Sequence, residues 1–187
     1  MPQAPSSMEY APTVLPILRS MRAIALPHWG TADVVGIKEN RPRNIVTALD
    51  LEVEKTISEA LRAAYPDIGF VGEETGGDRA GRKFWLMDPI DGTQAFVRGM
   101  PFCTSMLALI DSGEVVFSAI YDFPGDRMYW AEKGKGAFCN DEPIHVSNFP
   151  LERAFLCWEA DHRDAGNREL NWKLREKVAI IVSHTAG

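Results

Sequence analysis

The most informative stretch of the chain is residues 85–96, which read Trp85-Leu-Met-Asp-Pro-Ile-Asp-Gly-Thr-Gln-Ala-Phe96. The apolar run Phe84 to Met87 at its start is typical of a buried β-strand. Pro89 is expected to end that strand, because a proline has no N–H group to donate and its φ is fixed. The strand would therefore deliver the carboxylate of Asp88 at its end.

A second carboxylate, Asp91, comes three residues after Asp88 and is followed by Gly92 and Thr93, which are predicted to open a short helix. Carboxylate oxygens are ligands that suit Mg²⁺, and the N–H groups of a helix's first turn can receive a phosphate. An isolated Asp-Gly pair would more simply form a turn, with Asp88 as a helix cap. The complete segment favours a combined metal and phosphate site over that simpler alternative.

The segment Asp88-Pro-Ile-Asp-Gly-Thr93, between Trp85 and Phe96, resembles the signature of the inositol monophosphatase family of Mg²⁺-dependent, lithium-sensitive phosphomonoesterases. Three further stretches agree with that family in order and spacing: Asn44-Ile-Val-Thr47 with Asp50 three residues later, Gly72-Glu73-Glu74, and Gly134 to Asn140. The resemblance extends over about residues 33–147 and is looser elsewhere. It implies an α/β layered sandwich in which an antiparallel sheet is flanked by helices.

The resemblance also implies a set of metal ligands. Glu73 and Asp88 would hold one Mg²⁺ together with the main-chain carbonyl of Ile90, and Asp88 and Asp91 would share a second ion. Two or three Mg²⁺ ions are implied, and Mn²⁺ could replace them. Glu74 would orient its neighbour. Taken alone, paired glutamates in a loop are usually solvated, so the alternative for Glu73 is a plain surface residue.

Further residues have implied roles in catalysis and substrate binding. The N–H groups of Gly92 and Thr93 would bind the phosphate, and the Thr93 hydroxyl would help Glu73 orient and deprotonate a water molecule. Thr47 and Asp50 would hydrogen-bond water in the metal site. For Asp50 a structural alternative remains, because an acidic residue at the start of a helix is favoured by the helix dipole in any protein.

These residue types suit the hydrolysis of a phosphate monoester by direct attack of water. Two divalent ions about 3.5–4 Å apart can neutralise the phosphoryl oxygens, lower the pKa of the attacking water and stabilise the leaving oxygen. No side chain needs to become phosphorylated, which separates this mechanism from that of aspartyl-phosphate enzymes. By the same resemblance Lys38 would lie near the phosphate; otherwise it is a solvated loop lysine.

The composition fits a globular protein of a reducing compartment. The 187 residues are 45% hydrophobic and carry a net charge of −6, which argues against nucleic acid as a partner. No apolar run approaches the length of a membrane span. The three cysteines show no paired spacing, which fits the cytoplasm. The expected partner is a small phosphorylated metabolite, and the family resemblance implies a homodimer.

Hydrophobic periodicity predicts helices over residues 12–29 and 48–64, with Glu52, Glu54 and Lys55 of the second on its solvent side. Strands and hairpins are predicted at Ile68 to Val71, Phe84 to Met87, Phe102 to Ile110, Val115 to Tyr121 and Arg127 to Glu132. The first two hairpin strands lack clean alternation, so both of their faces are expected to be covered. Helices packed on an antiparallel sheet are the expected α+β arrangement.

Three segments are expected: a flexible N-terminus at residues 1–8, an α+β half at 9–147 that binds metal and phosphate, and the beginning of an incomplete α/β half at 148–187. Family members carry a later Trp-Asp segment whose aspartate binds the second metal, and none of the five tryptophans here precedes an aspartate. The sequence therefore predicts a fragment or a shortened chain. A Mg²⁺-dependent phosphomonoesterase is the leading hypothesis. The alternative is a truncated, non-catalytic metal- and phosphate-binding or subunit-interaction protein.

Overall fold

The computed structural model describes residues 8–37, 45–157, 165–177 and 180–182. Its contacts divide the chain into two compact units, residues 1–144 and 145–187. The elements in chain order are α1 (Ala11–Ala25), β1 (Val34–Ile37), β2 (Ile45–Thr47), α2 (Ala48–Ala64), β3 (Gly69–Gly72), β4 (Lys83–Asp91), α3 (Thr93–Phe96), β5 (Thr104–Asp111), β6 (Glu114–Asp122), β7 (Arg127–Glu132), β8 (Gly136–Cys139), β9 (Glu142–Ile144), β10 (Phe155–Cys157), α4 (Ala165–Arg175) and β11 (Ile180–Val182).

The first unit is built on a seven-stranded sheet with the strand order β3-β4-β5-β6-β7-β8-β9. The strand β3 runs parallel to β4, and every other neighbouring pair in this sheet is antiparallel. The β5–β6 hairpin turns at Ser112 and Gly113, whose φ values of 54° and 82° suit a two-residue hairpin loop. The predicted layered α+β fold is confirmed, with a mixed sheet in place of a purely antiparallel one.

The helices α1 and α2 pack against each other and against one face of this sheet. The helix α2 spans the predicted residues because its apolar side chains recur every three to four positions. The helix α1 is shorter than predicted and ends at Ala25, where a 3-10 turn over Leu26–His28 follows. Proline at position 27 fits that change, since it cannot continue the α-helical hydrogen bonds.

The core of the first unit lies between the two helices and the sheet. Its largest fully buried side chains include Trp85, Phe117, Tyr121 and Met87 from the strands. Trp85 contacts the rings of Tyr10, Tyr65 and Phe117 at centroid distances of 6.1, 5.6 and 6.1 Å. Such tilted and edge-to-face contacts suit aromatic quadrupoles, so this cluster joins the start of α1 and the end of α2 to the sheet.

The sequence predicts that the strand β4 ends at Pro89. In the structure β4 continues to Asp91, so that prediction was wrong. The pairing of β4 with β5 shifts register between Asp88 and Asp91, so Pro89 lies at an irregularity of the ladder. A proline is tolerated at such a position because no ladder hydrogen bond from its nitrogen is needed there.

The expectation that both faces are covered is also wrong for β6, whereas no residue of β5 is exposed. Along β5 and β6 the side chains that face α1 and α2 are buried, whereas Val115 and Ile120 on β6 are 55% and 43% exposed. Apolar side chains on a solvent face are common in folded proteins. The missing alternation in the sequence was therefore no guide to which face is covered.

The second unit contains β10 and β11, which pair in parallel, and the helix α4. Leu151–Arg153 forms a 3-10 turn before β10. Among the described helices of the whole chain, none combines the length and the apolar character needed to cross a membrane.

Candidate functional site

The predicted ligands Glu73 and Asp88 are neighbours because β3 and β4 are neighbours. Gly72 pairs with Met87 in the parallel register, and the Glu73 N–H group donates to the Met87 carbonyl oxygen at 2.9 Å. Glu73 therefore follows β3 at the level where Asp88 follows Met87. Glu73 is exposed and Asp88 is half-buried, so this end of the two strands is open to solvent.

Thr47, Asp50 and Thr93 meet at a polar junction beside that end of β4. Thr47 precedes α2 and donates to the Asp50 Oδ2 atom with its N–H group at 2.7 Å and its hydroxyl at 2.6 Å. Thr47 and Asp50 are each only 1% exposed. The structural alternative for Asp50 is thus present, since these two residues form a capping box at the start of α2.

The same carboxylate reaches the predicted catalytic threonine. The Thr93 Oγ1 atom lies 3.5 Å from Asp50 Oδ1 and donates to the Ile90 carbonyl oxygen at 2.9 Å. The structure therefore joins Thr47, Asp50, Thr93 and the predicted Ile90 carbonyl ligand in one connected set. A hydroxyl donates one proton and accepts through its lone pairs, so Thr93 can donate to Ile90 and still accept a hydrogen bond from a water molecule.

Gly92 has a backbone conformation that a side chain would disturb. Its φ is +79°, and a Cβ atom there would lie 2.3 Å from the Phe102 carbonyl oxygen. The Gly92 carbonyl accepts the N–H groups of Ala95 and Phe96 at 2.8 and 3.0 Å. Gly92 therefore turns the chain sharply from β4 into α3, which is a single turn of four residues. Any anion contact here would depend on local N–H groups, since one turn has little macrodipole.

Glu54 was predicted to face water, and the structure shows the opposite. Its side chain is buried, with 1% exposure, and accepts the N–H groups of Glu74 and Thr75 at 2.8 and 3.0 Å. The prediction was wrong because the buried face of α2 is wide. Glu54 lies four residues after the buried Asp50, and that i, i+4 spacing was the available signal.

The oxygen donors at this end of the sheet are of the chemical type that a hard divalent cation prefers. Glu73, Asp88 and Asp91 supply carboxylates and Ile90 supplies a carbonyl, which are donors that suit Mg²⁺ or Mn²⁺. Across residues 8–37, 45–157, 165–177 and 180–182, no group of three or more His, Cys, Asp or Glu side chains is already gathered for a metal. The ligand assignment therefore stays a prediction. Lys38 lies outside the described residues.

A cysteine nucleophile is a poor alternative for this site. Cys103 is buried, and burial, followed by the negative charges of Asp122 and Asp91, raises the pKa of its thiol to about 12. The thiolate is the reactive form, so the Cys103 sulfur is protonated and unreactive at neutral pH. The candidate groups at this site are therefore the oxygen donors described above.

The fold and these motifs agree with a sequence profile of the inositol monophosphatase family, which matches residues 13–181. The chain belongs to the inositol monophosphatase family. Inositol monophosphatase 1 of Bos taurus is 38% identical over 117 residues, which are 59% of this chain and 42% of that protein.

A bacterial relative and a solved structure extend the comparison. The fructose-1,6-bisphosphatase/inositol-1-monophosphatase of Thermotoga maritima is 37% identical over 137 residues, which are 73% of this chain and 53% of that protein. The solved structure of a Thermotoga maritima IMPase superposes with a TM-score of 0.83 at 30% identity, covering 94% of this chain and 68% of that chain. The chain spans about half the length of the curated relatives it matches.

Proposed function

We propose that this protein is a Mg²⁺-dependent phosphomonoesterase, with its metal and phosphate site at the end of β3 and β4. The observation that carries the proposal is the buried junction of Thr47, Asp50 and Thr93 at the Ile90 carbonyl, next to the carboxylates of Glu73 and Asp88. The names of the relatives support a small phosphorylated metabolite similar to inositol monophosphate as substrate.

In this proposal Glu73, Asp88, Asp91 and the Ile90 carbonyl hold Mg²⁺, or Mn²⁺ in its place. The bound ions would neutralise the phosphoryl oxygens and lower the pKa of the attacking water. We expect two or three ions, as the family resemblance implies.

The chain's own groups do the positioning. The Thr93 hydroxyl, oriented by Ile90 and Asp50, helps Glu73 align the water and accept its proton, and Asp50 and Thr47 hold that hydroxyl in place. The N–H groups of Gly92 and Thr93 bind the phosphate, because fixed dipoles stabilise developing negative charge. Lys38 is proposed as an additional cation near the phosphate.

The setting of the enzyme follows from the family and the composition. We propose a cytoplasmic homodimer that lithium inhibits. The three unpaired cysteines support a reducing compartment, and the family resemblance supports the dimer and the lithium sensitivity.

The proposal is tested first by metal binding, which does not require turnover. A ligand that binds only the native state raises the thermal midpoint by mass action. Mg²⁺ or Mn²⁺ should therefore raise the midpoint of the wild-type chain, and Asp88→Asn should abolish that rise. Asp67→Asn is the matched control, because Asp67 is an exposed carboxylate just before β3. An equal metal response in Asp88→Asn and wild type would reject the ligand assignment.

Phosphate release then separates the two hypotheses. Mg²⁺-dependent release of inorganic phosphate from inositol monophosphate, lost in Asp88→Asn, is the expected result for the enzyme. Metal-dependent stabilisation without any phosphate release from a panel of phosphomonoesters, in a complete protein that carries the Trp-Asp segment, would contradict the enzyme. It would instead favour the non-catalytic metal- and phosphate-binding protein.

A further inference from the structure

One buried carboxylate of α2, that of Glu54, accepts hydrogen bonds from the loop that follows β3. The Glu54 Oε2 atom accepts the Glu74 N–H group at 2.8 Å, and Oε1 accepts the Thr75 N–H group at 3.0 Å. The Thr75 hydroxyl also donates to Oε1. Both carboxylate oxygens of a side chain that is 1% exposed are thus occupied by this loop. Hydrogen bonds to a charged acceptor are stronger than neutral ones.

The approach of Glu54 to the loop depends on Gly72. A Cβ atom at Gly72 would lie 2.1 Å from the Glu54 Cδ atom, so only a glycine leaves room for the carboxylate. The loop is also closed on itself, because Gly72 and Gly76 exchange N–H···O=C hydrogen bonds of 2.9 and 3.1 Å. These contacts fix the residues on both sides of Glu73.

Glu73 itself is tied to the neighbouring strand. Its N–H group donates to the Met87 carbonyl at 2.9 Å, while the next two N–H groups along the chain donate to Glu54. The backbone of Glu73 is therefore held between β4 on one side and α2 on the other. The direction in which its side chain leaves the backbone follows from these two attachments.

We propose that Glu54 is a positioning residue, which holds the loop of residues 72–76 so that Glu73 presents its carboxylate beside Asp88. This inference rests on the proposed function, in which Glu73 is a metal ligand. Glu54 does not contact metal or substrate in this role; it acts through the backbone of Glu73 and its neighbours. Residues that orient a metal ligand without touching the metal commonly change the metal affinity about 10- to 100-fold when they are mutated.

A carboxylate is required here, and an amide does not replace it. An ionised carboxylate only accepts hydrogen bonds, whereas a glutamine side chain has one accepting oxygen and one donating NH₂ group. Because Oε1 and Oε2 of Glu54 both accept N–H groups of the loop, either orientation of a glutamine would oppose a donor to a donor. Glu54→Gln therefore removes at least one of the two backbone attachments, with almost no change of volume.

The experiment compares wild type, Glu54→Gln and the control Glu59→Gln, which alters an exposed glutamate of the same helix. Amide hydrogen exchange of Glu74 and Thr75 reports the attachment, and a Mg²⁺ or Mn²⁺ titration of the thermal midpoint reports metal affinity. In Glu54→Gln we expect exchange of these two amides about tenfold faster. We also expect that the metal concentration giving half of the rise in thermal midpoint will be at least about tenfold higher than in wild type. Amides of β5 to β7 should be unchanged.

The outcomes separate this inference from the proposed function. A wild type stabilised by metal and a Glu54→Gln variant with the same metal response would overturn the positioning role and leave the metal site intact. A wild type without any metal response would overturn the metal site, and the positioning role with it. Unchanged exchange at Glu74 and Thr75 in Glu54→Gln would show that the attachment itself was assigned wrongly.

A second variant covers the case in which Glu54→Gln does not fold. Thr75→Val keeps the shape of an exposed side chain and removes only the hydroxyl that donates to Glu54. It should give changes of the same direction and smaller size in both measurements. A Thr75→Val variant with wild-type exchange and wild-type metal affinity would contradict the role of this contact.

Discussion

Thr93 connects the backbone of β4 with the buried end of α2. Its hydroxyl donates to the Ile90 carbonyl at 2.9 Å and lies 3.5 Å from the Asp50 Oδ1 atom. A hydroxyl that donates its proton to Ile90 has little freedom to turn, so it presents a fixed acceptor to a reacting water. This arrangement is why a small change at residue 93 should affect turnover more than binding.

Thr93→Ala should lower kcat for phosphomonoester hydrolysis by about 10²-fold or more, which is the usual scale for a positioned proton-transfer or oxyanion partner. The effect on KM should be smaller. Steady-state kinetics at saturating Mg²⁺ measure both constants. Thr93→Ser, which keeps the hydroxyl, should retain most of the activity. A variant that loses only substrate affinity would mean that Thr93 merely holds the phosphate.

Gly92 gives a second residue-level prediction, which concerns stability. Gly92→Ala should lower the free energy of unfolding by about 2–4 kcal/mol, because it adds a backbone clash to the strain of a positive φ. Gly113→Ala is a matched control: its φ is +82°, and nothing lies within 4 Å of a Cβ atom there. The control should cost only about 1 kcal/mol. Urea unfolding measures the free energy of unfolding of both variants. Equal losses in Gly92→Ala and Gly113→Ala would contradict the clash.

The sequence identified most residues of this junction and missed what supports them. Thr47, Asp50, Ile90 and Thr93 could be selected because they stand at motif positions that carry chemistry. Glu54 was predicted to be solvated, as a glutamate in an amphipathic helix usually is, although its i, i+4 spacing from Asp50 pointed to the buried face. Its burial depends on Gly72, eighteen positions later in the chain, leaving room for the carboxylate.

At the scale of the element, the start of α1 is stabilised by a side chain of a strand that is distant in the sequence. The helix has no side-chain cap of its own. Instead the Glu132 carboxylate, at the end of β7, accepts the N–H groups of Glu9, Tyr10 and Ala11 at 2.9, 2.9 and 2.8 Å. The first N–H groups of a helix lack intrahelical partners, and a negative charge near them is favourable.

This contact makes stability depend on pH in a stated direction. Burial alone would raise the pKa of the Glu132 carboxyl, but the N–H groups of Ala11, Glu9 and Tyr10, together with the charge of Lys135, lower it below its ordinary value of 4.5. A carboxyl with a lowered folded-state pKa contributes stability above its unfolded value, and that stability is lost as pH falls through the folded-state pKa.

Glu132→Gln should therefore lower the free energy of unfolding by about 2 kcal/mol at neutral pH, and by less below pH 4. Urea unfolding across this range of pH measures the difference. The control is Glu114→Gln, which removes an exposed ion pair with Lys133 and should change stability by less than about 1 kcal/mol. A loss in Glu132→Gln that stays constant down to acid pH would contradict the role of its charge.

The limits of α2 were predictable from local sequence, and the limits of β4 were not. The limits of α2 follow from the spacing of its own apolar residues. The limits of β4 do not, because the register shift against β5 decides whether a proline can remain in the strand. The start of α1 was predicted to within one residue, although a glutamate of β7 stabilises it.

At the scale of the whole molecule, the layered arrangement of helices on a sheet was foreseen, and the one parallel pairing of the seven-stranded sheet was not. The hairpins from β5 to β7 are joined by short turns, which leave antiparallel neighbours as the simple outcome. The strands β3 and β4 are joined by the ten-residue connection 73–82. A connection of that length permits either direction, and the parallel choice is what brings Glu73 to the level of Asp88.

The cap of α1 also has a consequence in time. The helix is synthesised before the residue that caps it, which lies 121 to 123 positions later in the sequence. At a synthesis rate of about 5–20 residues per second, roughly 6 to 25 seconds separate the two on the ribosome. During that interval the N–H groups of Glu9, Tyr10 and Ala11 lack the carboxylate that accepts them in the folded chain. The contact that stabilises the start of α1 can form only after β7 has been synthesised, which follows β3 to β6 in the chain.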